Sequence, residues 1–268
     1  MLPDPPWLFA YLSLGALTGW LGGLFGIGGG LILVPVLAFL FQAQGIQSVH
    51  LMQLSLGSAM GVILFTSLAS LRKHHHLGAV HWPVFRALTP GILLGTGFGA
   101  WIASEVPASF LAIFFACFVY LVAGQMWFGN KPHPARQLPS KEGMTFFGLV
   151  TGTLSSIVSI GGGTFVVPFL VWCNVPIRNA IGTAAAVGFP LAAGASLGYV
   201  IGGWNITGLP APHAGFGFLP AIFWTGLVSL FTAPIGARLA HRLDVEKLRK
   251  LFALLLVALA TKLLTNTT

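Results

Sequence analysis

The sequence predicts an all-α polytopic membrane protein made of two inverted repeats, each with a glycine-broken helix hairpin plus three transmembrane helices. Three observations lead to this fold class. The chain is poor in charge, apolar stretches of about 20 residues recur along it, and a glycine-rich motif occurs twice.

The composition predicts a membrane environment. Of the 268 residues, 56% are hydrophobic and 7% are charged. Soluble domains carry roughly 25% charged residues, so this chain has too few to cover a water-exposed surface. The formal net charge of +8 comes from Lys and Arg between apolar stretches. We interpret it as a topology signal that faces anionic lipid, and nucleic acid is not a predicted partner.

Both copies of the glycine motif interrupt apolar sequence in the same way. Residues 28–30 and 161–163 are glycine triplets, each followed five residues later by Pro35 or Pro168, at a constant offset of 133 residues. Three adjacent glycines do not hold a regular helix, because each costs about 1 kcal/mol relative to alanine. In a membrane such a break is tolerated only where it packs on protein or lines a cavity. The two breaks are therefore predicted to lie at the centre of the molecule.

The first repeat, residues 1–128, begins with a long apolar stretch that the first break divides. The 35 uncharged residues from 7 to 41 would form about 50 Å of helix, too long for one crossing of a core about 30 Å thick. The break leaves one full-length segment and one short segment, and three further spans follow. The predicted segments are residues 7–25, 31–41, 50–71, 84–103 and 107–128.

The second repeat, residues 143–268, has the same order of elements. A polar linker at residues 129–142, which holds Lys131, Arg136 and Lys141, separates the repeats and is predicted to be cytoplasmic. The predicted segments are residues 144–160, 164–172, 179–201, 218–237 and 251–264.

Loop charge predicts that the repeats are inverted. The stretches 72–76, 129–142 and 238–250 are basic, the loop 202–217 has no charge, and the turn at Glu105 is acidic. Loops at equivalent positions in the two repeats therefore differ in charge. Because basic loops face the cytoplasm, equivalent loops are predicted to lie on opposite sides of the membrane. Inversion requires an odd number of crossings per repeat. Three spans with a hairpin that enters and leaves on one side would satisfy this, as would five crossings.

The sequence gives little support to an enzyme. All five carboxylates lie in tails or loops, and neither a Rossmann nor a P-loop nucleotide-binding motif occurs. The tract His74–His76 could bind a metal, but without a second ligand cluster a solvated loop is the preferred interpretation. No metal or organic cofactor is predicted. The carboxylates are Asp4, Glu105, Glu142, Asp244 and Glu246.

The glycine breaks predict an anion site. A helix that restarts after a break points unpaired backbone N–H groups and its positive dipole end towards that break. Small residues let an anion approach this backbone, as at other helix N-termini. The alternative is that the glycines only permit tight helix packing and that the hydroxyls bond within their own helices. The predicted substrate-binding residues are Gly28, Gly29, Gly30, Ser159, Gly161, Gly162, Gly163 and Thr164, with Ser55, Ser58 and Thr183 around them.

These motifs resemble the sulfite exporter TauE/SafE family of bacterial inner-membrane permeases. The resemblance rests on residues 22–37, the second copy at 159–170, and residues 180–184 and 234–239. It implies a multi-pass protein of the bacterial inner (cytoplasmic) membrane. It also implies transport, usually export, of small sulfur-containing anions such as sulfite, sulfoacetate or related organosulfonates. Ser159 stands where the first copy has Gly26, so the two breaks are not expected to be fully equivalent.

The resulting hypothesis is a secondary transporter that works by alternating access, with a proton or sodium ion as the coupling ion. The first alternative is a channel for anions or small solutes, and the second is a non-transporting membrane subunit whose glycines serve packing alone. The sequence leaves open the anion, the direction of transport, the coupling ion, the oligomeric state and whether the broken hairpins fully cross the membrane.

Overall fold

A computed structural model of the chain describes residues 3–25, 29–46, 48–129, 136–239 and 245–267. Ten α-helices and one short β-ribbon, formed by strands β1 (His213–Ala214) and β2 (Gly217–Phe218), lie within these ranges. The helices are α1 (Pro5–Phe25), α2 (Gly30–Ala43), α3 (Leu51–His76), α4 (Trp82–Glu105), α5 (Ala108–Phe128), α6 (Lys141–Ile157), α7 (Gly163–Trp172), α8 (Ile177–Gly202), α9 (Leu219–Leu239) and α10 (Val245–Thr267).

The helix lengths confirm a polytopic all-α membrane protein. Six helices are long and apolar enough to cross a membrane: α1, α3, α4, α5, α8 and α9. Large apolar side chains such as Phe9, Leu121 and Phe128 are mostly exposed on them, which suits a lipid environment. The α2 and α7 helices, of 14 and 10 residues, are short and apolar, as predicted for the segments after the breaks.

Capping residues account for several helix boundaries. Gly29 precedes α2 in the left-handed region with φ 76°, which glycine adopts without strain. Gly129 ends α5 in the same region with φ 68°. The Ser140 side chain accepts a hydrogen bond from the Gly143 amide and so begins α6. The boundaries of the two repeats and of the linker between them stay a prediction.

Two segments expected to be loops contain regular structure. The basic stretch 72–76 continues α3, with Lys73 and His74–His76 in its last turn. Cationic side chains are favourable there because they lie at the negative end of the helix dipole. The uncharged loop 202–217 includes β1, which pairs antiparallel with β2.

Each short helix folds back against the long helix before it. The α2 helix starts where Gly29 contacts the backbone of Thr18, and it ends where the side-chain amide of Gln44 donates to the Tyr11 hydroxyl. The α7 helix returns along α6 with stacked rings of Phe147 and Phe169, 3.7 Å apart. Each break therefore lies between the two helices of a hairpin, as the sequence predicted.

Glycines bring helices from different repeats into backbone contact. A Cβ at Gly15 of α1 would overlap the Thr225 carbonyl of α9, and one at Gly148 of α6 would overlap the Leu88 carbonyl of α4. Three such contacts have a counterpart in the other repeat. They are Gly15–Thr225 with Gly148–Leu88, Gly19–Ser229 with Gly152–Ile92, and Gly236–Trp20 with Gly99–Thr153. Helix α1 thus packs on α9 as α6 packs on α4.

These contacts also give helix directions. Gly15 and Gly19 meet Thr225 and Ser229 in rising order, so α1 and α9 run the same way. The order of the glycine contacts between the other packed helices gives their directions in the same way. Helices α1, α3 and α9 run in one direction, and α4, α6 and α8 run in the opposite direction. The equivalent helices α3 and α8 are thus antiparallel. This favours inverted repeats, an orientation that stays a prediction.

Two glycines of α4 test this packing. A Cβ at Gly95 would overlap the Leu149 carbonyl, whereas one at Gly97 would have no atom within 4 Å. We expect Gly95→Ala to lower the free energy of unfolding by about 1–3 kcal/mol, because no space is free for the methyl group. Gly97→Ala should leave it unchanged or raise it by up to about 1 kcal/mol through helix propensity. Thermal unfolding of the purified variants measures both, and equal melting temperatures would contradict the packing.

Candidate anion site between the two glycine breaks

The two breaks lie against each other. A Cβ at Gly30 would overlap the Ser159 carbonyl oxygen and would lie 3.1 Å from Cδ1 of Ile63. The first residue of α2 therefore rests directly on the backbone of the second break, next to the middle of α3. Since α7 restarts at Gly163, the N-terminal ends of both short helices converge on this region. The second break therefore contacts the start of α2 inside the protein.

The second break begins with a reversal of the chain after α6. The Ile160 amide donates to the Ser155 carbonyl and the Ser159 amide to the Ser156 carbonyl, while Ser159 adopts a left-handed φ of 48°. This is the Schellman pattern, in which glycine usually occupies the left-handed position. The Ser159 hydroxyl donates to the Leu56 carbonyl at 2.9 Å and ties the turn to α3. Serine thus replaces glycine here at some conformational cost, offset by a bond to another helix.

Behind this turn, a set of backbone donors is left unpaired. Within the part of the chain that the structure describes, the amides of residues 161–164 make no hydrogen bond, although the Ser159 and Ile160 amides do. The Thr164 Oγ1 atom is buried and has no partner either. Free amides at a helix N-terminus carry partial positive charge and attract an anion.

Gly161 and Gly162 line a cavity of about 40 Å³ that is bounded by α1, α3, α8 and α9. Roughly 15 Å³ is enough to hold one water molecule, so the cavity has room for a small polar species. Its polar side chains come from one face of α3, and most of its other lining residues are small, such as Gly22, Gly23 and Gly188. The α3 residues are Thr66, Ser67, Ser70 and His74.

The cavity's electrostatics favour an anion. None of its lining residues is acidic, and His74 lies at one end of it, in the basic last turn of α3. The Thr66 and Ser67 hydroxyls donate to the Ile63 and Leu64 carbonyls of their own helix. The Ser70 hydroxyl makes no hydrogen bond within the described residues and can donate to a ligand.

Only part of the predicted residue set lines this cavity. Gly161 and Gly162 do, whereas Gly30 and Ser159 form the contact between the breaks. Gly163 and Thr164 form the first turn of α7, and Gly29 caps α2 next to α1. Gly28 lies outside the described residues.

The three more distant hydroxyls bond to backbone groups and lie apart from the cavity. Ser55 donates to the Leu51 carbonyl. Ser58 accepts from the Phe218 amide at 2.9 Å, and Thr183 accepts from the His81 amide at 2.8 Å. Ser58 thus binds the residue that precedes α9, and Thr183 binds the residue that precedes α4 in the same way. Their role in substrate binding stays a prediction.

The polar face of α3 was not among the residues predicted from the sequence. Residues 66, 67, 70 and 74 recur at helical spacing within an apolar span, a pattern that marks one face of a helix. The spacing was available as a signal. What the sequence did not indicate was that this face, rather than the one with Ser55 and Ser58, lies opposite the second break.

Thr183 can be tested as a structural residue. Valine has nearly the shape of threonine but cannot accept the His81 amide. We expect Thr183→Val to lower the free energy of unfolding by about 1–3 kcal/mol, because it leaves a partly buried donor unpaired. Thr183→Ser should keep most of the stability. Thr89→Val is the matched control, since Thr89 only donates to the Phe85 carbonyl of its own helix. Thermal unfolding of the three variants measures these changes. Equal losses of stability in Thr183→Val and Thr89→Val would contradict the structural role of Thr183.

A family model and two known proteins each match most of this chain. A family model described as "Sulfite exporter TauE/SafE" matches residues 11–263. A probable membrane transporter protein of Haemophilus influenzae is 34% identical over 253 residues, which cover 93% of this chain and 95% of that protein. A probable membrane transporter protein of Methanocaldococcus jannaschii is 24% identical over 245 residues, covering 89% of this chain and 88% of that protein. No solved structure matches the chain.

Proposed function

The chain belongs to the sulfite exporter TauE/SafE family, and we propose that it is a secondary transporter that exports sulfite, sulfoacetate or a related organosulfonate. The family and its relatives, named as probable membrane transporters, indicate a multi-pass membrane transporter. They also point away from enzymatic activity. The substrate class, the direction and the location in the bacterial inner membrane belong to the proposal.

The observation that carries the substrate class is the row of unpaired amides at residues 161–164, of which Gly161 and Gly162 line the cavity. An oxyanion offers several acceptor oxygens, and backbone N–H groups at a helix N-terminus bind such groups. The buried Thr164 hydroxyl adds a donor without a partner. A cation would find no counter-charge among the cavity's lining residues, so an anionic substrate fits best.

The proposed mechanism is alternating access between inverted repeats. The antiparallel course of α3 and α8 supports inversion, because a two-fold axis in the membrane plane reverses every helix it relates. The basic ends of α3 and α9 lie on one side, where Arg178 also donates to the Leu77 carbonyl. We assign this side to the cytoplasm. The cavity extends from Gly162 to His74 and therefore faces the cytoplasm in this conformation.

We also propose that transport of the anion is coupled to movement of a proton or a sodium ion. The described membrane spans, α1, α3, α4, α5, α8 and α9, have Glu105 as their only carboxylate, and it is the last residue of α4. A relay of buried carboxylates, which many proton-coupled carriers use, therefore has no basis in these spans.

Ligand-dependent thermal stabilisation of the purified protein tests the substrate class. A ligand that binds only the folded state stabilises it by RT ln(1 + [L]/Kd), about 2.7 kcal/mol at a hundredfold excess over Kd. We expect sulfite or sulfoacetate to raise the melting temperature more than sulfate, thiosulfate, taurine and chloride at equal ionic strength. Equal shifts for all six compounds would reject a sulfur-anion site.

The role of the second break in transport can be tested with Gly162. Its backbone is right-handed, so substitution adds no φ strain, but a Cβ would lie 3.2 Å from the Ala184 carbonyl and the side chain would enter the cavity. We expect Gly162→Leu to insert normally and to lose at least about 90% of sulfite flux in proteoliposomes, since leucine fills a site of this size.

Gly97→Leu, on the open face of α4, is the matched control and should retain flux. Gly29→Leu should also abolish flux, but Gly29 has a left-handed φ of 76°, so its insertion must be checked first. Normal flux in an inserted Gly162→Leu protein would refute the site.

A further inference from the structure

We propose that Tyr199 gates a second half of the substrate site on the outer side of the protein, opposite the basic ends of α3 and α9. The Ser155 hydroxyl behind Tyr199 contacts the anion once this gate opens. The inference rests on the transporter function proposed above and deepens it by naming the outward-facing part of the site.

Equivalent contacts show which residues correspond in the two repeats. Ser58 holds the Phe218 amide as Thr183 holds the His81 amide. His74 comes sixteen residues after Ser58, and Tyr199 comes sixteen residues after Thr183. Tyr199 therefore has in α8 the position that His74 has in α3, where it lines the cavity.

The break helices give a second correspondence. The offset of 133 residues between the glycine triplets pairs Gly22 of α1 with Ser155 of α6. Gly22 also lines the cavity that faces the basic side. Two-fold symmetry thus places Ser155 and Tyr199 around an equivalent space that faces the opposite side.

In this conformation, that equivalent space is closed. Tyr199 is 1% exposed, and its hydroxyl donates to the Ser156 carbonyl oxygen at 2.9 Å. The same carbonyl accepts the Ser159 amide in the turn that ends α6. Tyr199 therefore ties α8 to the start of the second break, at a point that must separate if the outer side is to open.

Ser155 lies behind this closure with an unused donor. The residue is fully buried, and its Oγ atom has no hydrogen-bond partner within the described part of the chain. A buried hydroxyl without a partner is costly, and such groups often mark a functional site. An oxyanion that enters from the outer side would supply the missing acceptor.

Side-chain size explains why one side is open and the other closed. The Phe216 carbonyl contacts Gly57 as the Ala79 carbonyl contacts Gly182, so Phe216 and Ala79 are equivalent. Phe216 is fully buried on the outer side. The outer side thus has two large aromatic residues, Tyr199 and Phe216, where the basic side has His74 and Ala79.

Thiol accessibility at position 155 tests the gate without using any substrate. The background is Cys117→Ala with Cys173→Ala, which removes both native thiols, and Ser155→Cys supplies the reporter. A membrane-impermeant charged maleimide is added to intact cells, which exposes only the outer face. We expect slow labelling with Tyr199 present and about five- to tenfold faster labelling in Tyr199→Phe, which lacks the bond to Ser156.

Tyr11→Phe is the matched control. Tyr11 is also fully buried, and its hydroxyl accepts a hydrogen bond from Gln44 at the other hairpin. This variant should leave the labelling rate at position 155 unchanged. Tyr199→His, which installs the residue of the equivalent position in α3, is the second gate variant in case Tyr199→Phe does not fold. Its labelling rate should rise as well.

The outcomes separate this inference from the proposed function. Faster labelling in folded Tyr199→Phe or Tyr199→His, but not in Tyr11→Phe, supports the gate even if no sulfur anion binds. Unchanged labelling in a folded gate variant, or an equal increase in Tyr11→Phe, refutes it even if sulfite is the substrate. Fast labelling with Tyr199 intact would also refute it.

Discussion

Backbone hydrogen bonding inside a membrane is the constraint on which this structure depends. A broken helix leaves donors and acceptors that water cannot satisfy in the hydrocarbon core. Here the two breaks pack on each other, with Gly30 resting on the Ser159 carbonyl. The Ser159 hydroxyl satisfies the Leu56 carbonyl of α3. Of the donors that remain, at residues 161–164, those of Gly161 and Gly162 belong to residues that line a cavity. The break is thus protected on one side and open on the other, which an anion site requires.

The two repeats are equivalent in packing and different in chemistry. Matching glycine contacts join α1 to α9 and α6 to α4, so the scaffold is nearly symmetric. The residues around the breaks are not. Gly22 corresponds to Ser155 and His74 corresponds to Tyr199, which gives the two sides of the molecule different openings. A symmetric scaffold can switch between two conformations of similar free energy. The different residues that line its two sides set which conformation is favoured.

The sequence predicted the fold better than the site. The low charge, the lengths of the apolar stretches and the repeated Gly-Gly-Gly predicted the number and type of the helices, because each is a local property of the chain. The structure extends α3 through His76 and places a β-ribbon in the loop before α9, since capping and pairing depend on partners that a single segment does not reveal. Of the residues that line the cavity, Gly161 and Gly162 were in the predicted set because a glycine break is visible in sequence. Thr66, Ser67 and Ser70 were missed because their orientation depends on how α3 turns towards another repeat.

The reciprocal packing of α1 on α9 and of α4 on α6 has a consequence for how the protein is assembled. The small-residue faces at Gly15, Gly19, Gly148 and Gly152 are each completed by a helix from the other repeat. A single repeat made alone would expose these faces and would lack the backbone contact that closes its own glycine break. Although the glycine motif occurs twice, neither copy completes its packing without the other. The N-terminal helix reaches its final packing only after α9, some 200 residues later, has been synthesised.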